Sequence, residues 1–228
     1  MAATAQNHME PLRSLEDKKD EDRDEEPEYS PFYGIEKGLV LQEAREFNNA
    51  QVDPRKCQQI ITKLLYLLTQ GEHLTKTEAS DVFFSVTKLF QHPDVHLRRM
   101  VYLVIKAVIP SSDEVIIITS SLMKDMNSRN ELYRANAIRV LCRIMDPGML
   151  LQIERYLKQA VVDKSPVVAA AVLAGSVRLA AQSSDVLRRW ASEVSEAMSS
   201  RHGPVAYHAL ALAHVLRAGD RLAVSKLV

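Results

Sequence analysis

From residue 38 onward, apolar residues return every three or four positions, the spacing that lines up one side of an α-helix. The stretch 130–146 shows it most plainly. Ala135, Ile138, Leu141, Cys142 and Met145 form one apolar stripe, while Arg134, Arg139 and Arg143 point elsewhere. Asn130 precedes them as an N-cap, its side-chain oxygen placed to accept a first-turn N–H. Thirty-five residues before Arg134 stands Arg99, inside 94–109; 36 after it stands Ala170, inside 166–181; a further 38 on is His208, inside 204–217. Each reads as an apolar helix preceded by another. An interval of 35 to 38 residues with two helices per unit is the mark of an α-solenoid.

The same periodicity predicts helices at 38–49, 54–69, 76–91, 94–109, 113–127, 130–145, 147–162, 166–181, 185–199, 204–217 and 220–228. Asp53-Pro54, Asp146-Pro147, Ser165-Pro166 and Gly203-Pro204 each set a cap before proline, which suits the first helical position because the N–H it lacks would be unbonded there. Linkers of one to six residues force antiparallel neighbours. Residues 115–118 alone would suit a strand, but they continue into Leu122 and Met126 at helical spacing and read as helix. The expected fold is all-α: a HEAT/armadillo-like α-solenoid of stacked antiparallel hairpins over 31–228. The last helix, with Leu222, Val224 and Leu227, lacks a polar cap, as expected of a solenoid that continues.

Composition adds an asymmetry to this picture. Net charge is zero, but nine acidic and three basic residues crowd 16–28, leaving 29–228 at +6. Residues 1–30 are expected to be a disordered acidic tail, because so little apolar surface cannot offset the entropy of ordering. The mild positive charge of the remainder suits an acidic partner or anionic surface and falls short of a nucleic-acid binder; no nucleic acid is expected. The first thirty residues lack an apolar signal core. The longest uncharged apolar run, 167–177, is too short to span a bilayer, so membrane association is expected through partners.

Candidate chemistry is sparse. The sequence holds no phosphate-cradling glycine loop, no GxSxG elbow and no HExxH pair. His92 and His96 lie four apart with no third ligand nearby. Cys57 and Cys142 sit in apolar stripes as reduced, buried thiols, and nothing supplies Cys57 with a general base. Neither an enzyme, nor a cofactor, nor a metal is expected. Arg98-Arg99 and Arg188-Arg189 read as salt-bridging or solvated faces, or as contacts for an acidic partner. Trp190 reads as packing between hairpins.

The helix at 113–127 is more informative. Val115, Ile118, Leu122 and Met126 make its core stripe. A second stripe of Ile116, Thr119, Ser120 and Met123 is small and half apolar where a surface helix would turn charges outward. Two readings fit it: packing against the adjacent hairpin, or a flat docking patch for another protein's apolar surface.

Several segments closely resemble the N-terminal trunk of the coatomer gamma-subunit family, within the adaptin and coatomer large subunits. They are DPRKC at 53–57, ITKLLYLL at 61–68, FFSVTKLF at 83–90, LRRMVYL at 97–103, 113–126, YRANAIR at 133–139, IERYLKQA at 153–160 and YHALAL at 207–212. The match runs in order from Tyr29 to Val228, is looser and alanine-rich over 165–199, and leaves out the tail. The resemblance implies a scaffold subunit of the COPI vesicle coat, serving Golgi-to-ER and intra-Golgi transport from the cytosolic face of Golgi membranes. It implies as partners a small zeta-like coatomer subunit, other coatomer subunits, and an ADP-ribosylation-factor-type GTPase in its GTP state. By similarity to the clathrin-adaptor large subunits, the positions matching their GTPase contact are Phe84, Thr87, Ile116, Thr119, Ser120 and Met123. A clathrin-adaptor trunk, or a helical-repeat transport receptor unrelated to coats, is the competing reading.

Overall fold

The computed structural model describes residues 30–108 and 115–225. The chain divides into two units between Tyr33 and Gly34. Of the first, Ser30–Tyr33 form a turn, closed by the Tyr33 N–H donating to the Ser30 carbonyl at 2.8 Å. The expectation of a disordered tail falls outside the described residues.

In the second unit the helices are α1 (Lys37–Glu43, continued by a 3-10 turn Ala44–Asn48), α2 (Pro54–Thr69), α3 (Lys76–Thr87, continued by a 3-10 turn Lys88–Gln91), α4 (Val95–Val108), α5 (Val115–Met126), α6 (Glu131–Ile144), α7 (Pro147–Ala160), α8 (Pro166–Arg188), α9 (Ala191–Met198), α10 (Gly203–Arg217) and α11 (Arg221–Ser225). No strand occurs among the described residues. The run at 115–118 is helical, because Ile118, Leu122 and Met126 then fall on one buried stripe.

Local chemistry starts most of these helices where the sequence places them. The Asp53 carboxylate accepts from the Arg55 and Lys56 N–H groups, Asn130 from Leu132, and Asp146 from Met149. Thr75 and Glu78 form a reciprocal capping box at α3. At the far end of α2, Gly71 takes φ +92°, the left-handed turn that a side chain would strain. Two expected caps differ. Ser165 holds no first-turn N–H; its hydroxyl donates instead to Glu131 of the preceding hairpin. Gly203 lies within the first turn of α10, with His202 at the cap position and no side-chain bond.

The helices pair as α1–α2, α3–α4, α5–α6, α7–α8 and α9–α10, and α2, α4, α6, α8 and α10 stack on one another in that order. This is the expected α-solenoid. The stacked series forms an inner layer; α1, α3, α5, α7 and α9 form an outer one that touches chiefly the inner helices. Polar ties at the repeat interval join successive hairpins: Gln58 donates to Asp94, Asn48 to Ser85, and Arg189 and Trp190 to Glu154.

The expected break between helices 166–181 and 185–199 falls where the structure has one, and the departure comes a few residues later. Ser183 leaves helical geometry (φ −145°, ψ 45°) and kinks α8 into two helical segments, the second ending at Arg188. The expected helix 185–199 is itself interrupted at Arg189–Trp190, where Leu187 and Trp190 are both wholly buried, before α9 begins at Ala191. By length and composition α8 is apolar enough to cross a membrane, yet it packs against both α6 and α10 in the inner layer. Its contact with α6 is unusually close. A Cβ added at Gly175 would lie 2.6 Å from both Cβ and Sγ of Cys142, so glycine is what lets the two backbones approach.

Candidate functional site

Placement of the outer helices decides which of the candidate residues reach the surface. On α3, Val82, Phe83 and Val86 turn inward, and Phe84 is left 42% exposed, its ring edge-on to buried Phe83. Thr87, half-buried one turn on, donates its hydroxyl to the Phe84 carbonyl at 2.8 Å and so presents mainly its methyl group. Phe84 borders an open groove of about 740 Å³ between α1 and α3, with Leu41, Arg45, Asn48 and Lys88 among its lining.

On α5, Ser120 is exposed, while Thr119 and Met123 are half-buried. The side chain of Ile116 lies outside the described residues. Thr119 and Ser120 line a second groove, of about 530 Å³, with Asp146, Gly148, Met149 and Gln152 from the start of α7. Met123 packs in part against the core. The candidate residues therefore divide between two grooves of the outer layer, and α5 carries both packing and display on neighbouring positions of one face.

A buried polar cluster fixes the orientation of α5. Asp125 near its end accepts from Arg98 of α4 at 2.6 Å and from the Tyr102 hydroxyl at 2.7 Å. The Arg98 guanidinium lies 4.1 Å from the ring centre of Tyr133 on α6, a cation–π contact. Burial, with Asp125 as hydrogen-bond partner, raises the Tyr102 pKa far above the ordinary phenol range. Sequence reading placed Arg98 among solvated or bridging arginines; its partner, Asp125, is one of the few buried charges and carried no signal beyond falling on the Met126 side of the helix.

Residues that the sequence reading passed over stand beside these. Leu151 and Tyr156 on α7 are 56% and 49% exposed, and Gln152 borders the Thr119–Ser120 groove. The 150/153/157 core spacing already turns Leu151 away from the core, which was the available signal. Arg45 and Lys88 line the first groove together with Glu78 and Asp81; Lys88 donates to Asn48 at 2.6 Å.

The remaining candidate chemistry is accounted for by packing. Cys57 and Cys142 are free and buried. Burial pushes the Cys142 thiol up to about 12; burial, then Asp53 and Glu46, also raises Cys57. His92 accepts the Asp94 N–H on Nδ1 at 3.1 Å. Among the described residues no group of three His, Cys, Asp or Glu side chains is placed to hold a metal. Trp190 is buried between hairpins with its indole N–H on Glu154.

Comparison with known proteins agrees with this architecture. A designed armadillo repeat protein superposes with a TM-score of 0.56 over 82% of this chain and 86% of its own, at 15% identity, which establishes the fold alone. Coatomer subunit gamma of Arabidopsis thaliana is 66% identical over 211 residues, 92% of this chain and 24% of its own length. Coatomer subunit gamma-1 of Oryza sativa subsp. japonica is 64% identical over the same shares, and a probable coatomer subunit gamma of Caenorhabditis elegans 53% identical over 90% of this chain and 24% of its own. The chain thus spans about a quarter of the length of the curated relatives it matches. Residues 36–228 match the Adaptin N terminal region, and with the stacked hairpins this places the chain plainly in the adaptin N-terminal family.

Proposed function

We propose that this chain is scaffold of a coatomer gamma subunit: part of the COPI coat, working in the cytoplasm at Golgi membranes and coated vesicles, with other coatomer subunits as partners. The observation that carries the reading is 66% identity to a coatomer gamma subunit across 92% of the chain. The role is mechanical. Stacked hairpins offer separate faces to separate partners, and 31–228 acts as the trunk.

The finer reading is that the outer face of α3 and α5 docks an ADP-ribosylation-factor-type GTPase in its GTP state, and that a small zeta-like subunit binds elsewhere on the trunk. Phe84 supports the first part, as an exposed aromatic beside buried Phe83, the other aromatic of α3. So do Thr119, Ser120 and Met123, which leave the middle of α5 without a charged group. A GTPase exposes apolar switch side chains only when its γ-phosphate orders those loops. The uncharged middle of α5 rewards that state and gives nothing to the other, so membrane recruitment follows the nucleotide.

Pull-down of GTP-locked and GDP-locked GTPase on this chain tests it. The GTP form is expected to be retained and the GDP form lost, with retention abolished by Phe84→Asp or Ser120→Asp. Equal weak binding of both forms would remove the docking face while leaving the coat assignment to a separate co-expression test with the zeta-like subunit.

A further inference from the structure

We propose that the cleft between α9 and α10 binds a short acidic peptide segment anchored by one bulky aliphatic side chain. Val194 of α9 and Ala213 of α10 form its buried floor, 3% and 4% exposed, with half-buried Met198 and Leu216 as walls. The cleft holds about 170 Å³, room for a single side chain rather than a helix. Methionine and leucine walls adapt to an aliphatic anchor, and a small apolar cavity with a few oriented polar groups is how specific sites are built.

The rim decides which ligand. Arg188 and Arg217 both line the cleft, and no carboxylate does. Arg188 is engaged only by Asp185, three residues earlier at 2.8 Å, whose side chain is 92% exposed. Such exposed pairs contribute little, so an incoming carboxylate competes readily. Guanidinium forks suit carboxylates in particular, and arginine clusters around an apolar seat are a recurring mode of acidic-motif recognition. An anionic membrane fits less well: a cleft of about 170 Å³ seats one side chain and is not a broad basic face. This site lies on the last hairpin and does not depend on the GTPase face.

Fluorescence anisotropy on the full 228-residue chain tests it, using a labelled peptide Glu-Asp-Glu-Leu-Glu-Asp. The controls are the same peptide with alanine for leucine, and with lysine for every acidic residue. The leucine peptide is expected to bind at least about tenfold tighter than either control, a difference well resolved in Kd. Arg217→Glu and Arg188→Glu should each remove most of that preference, as should Ser195→Trp, which fills the mouth from an exposed position. If an arginine variant melts early, the Ser195→Trp result decides. Equal binding of the three peptides, no binding of any, or full binding by Ser195→Trp overturns the proposal. Binding to phosphatidylserine vesicles without discrimination among the peptides also overturns it, in favour of a lipid site.

Discussion

Helices α5 and α8 are both rich in apolar residues and differ in what surrounds them. α8 sits in the inner layer against α6 and α10, and Val168, Ala169, Ala171, Val172, Leu173, Ser176 and Leu179 are all buried along it. α5 sits in the outer layer, packs mainly on α6, and buries a narrow stripe of Ile118, Leu122 and Met126. The two helices are held differently as well. α8 is fixed by backbone proximity at Gly175, and α5 by the Arg98–Tyr102–Asp125 cluster. An apolar helix is therefore core or display surface according to its layer, which composition does not report.

The comparison breaks most readily at Asp125. Asp125→Ala leaves Arg98, only 14% exposed, buried without its partner, and should lower stability by about 3 kcal/mol. Urea unfolding followed by circular dichroism reads that loss. If α5 is held there rather than by its narrow stripe, hydrogen exchange should rise across α5 and stay low in α8. Uniform exchange through both helices would show that the cluster does not orient α5.

At α8 the expected loss is somewhat smaller. Gly175→Ala forces a Cβ against Cys142 and should reduce stability by about 2 kcal/mol, in the range of core overpacking. Adding Cys142→Gly should restore part of it, since both short contacts are to that side chain. No recovery in the double variant would mean that the close approach of α6 and α8 is not what Gly175 serves.

A pH titration sharpens the same contact. Cys142 holds its proton in the folded state up to about 12, whereas an unfolded thiol loses it near about 8.5. The native state then binds more protons, so stability is intact below that lower value and falls as pH rises above it. Alkylation of Cys142, read by mass spectrometry, should track global unfolding. The slope of stability between pH 9 and pH 10, about 1.4 kcal/mol per unit at most for one such group, should flatten in Cys142→Ala.

The least disturbance is expected on the outer face. Ser120→Asp, at an exposed position, should change stability by less than about 0.5 kcal/mol while removing GTPase retention. Unfolding of that variant would instead mark the middle of α5 as packed surface.

Much of the fold was legible because helix periodicity and caps are local. Asp53, Asn130 and Asp146 cap where their sequence positions imply, and the 35- to 38-residue interval appears as the hairpin repeat. Ser165 and the turn at Arg189–Trp190 were misread for the opposite reason. Ser165 serves a neighbouring hairpin through Glu131, and the helix expected over 185–199 is broken at Arg189–Trp190, where Leu187 and Trp190 are buried; the kink at Ser183 falls within the gap expected after 181. Among the candidate site residues, Phe84 and Ser120 reach the surface, Thr119 and Met123 are shared with packing, and the side chain of Ile116 lies outside the described residues. Leu151 was readable from its helix phase; the arginine-rimmed cleft was not, because Arg188 and Arg217 meet only when α9 folds onto α10.

The sequence alone determined that this chain is a run of paired helices with a repeating interval, since backbone capping and amphipathic spacing act over a few residues. Only the tertiary structure decided which helices form the inner layer, which partner receives each buried charge, and where two arginines flank one apolar seat. Those outcomes depend on contacts between residues about 20 to 40 positions apart, and the sequence of either partner taken by itself does not encode the distance between them.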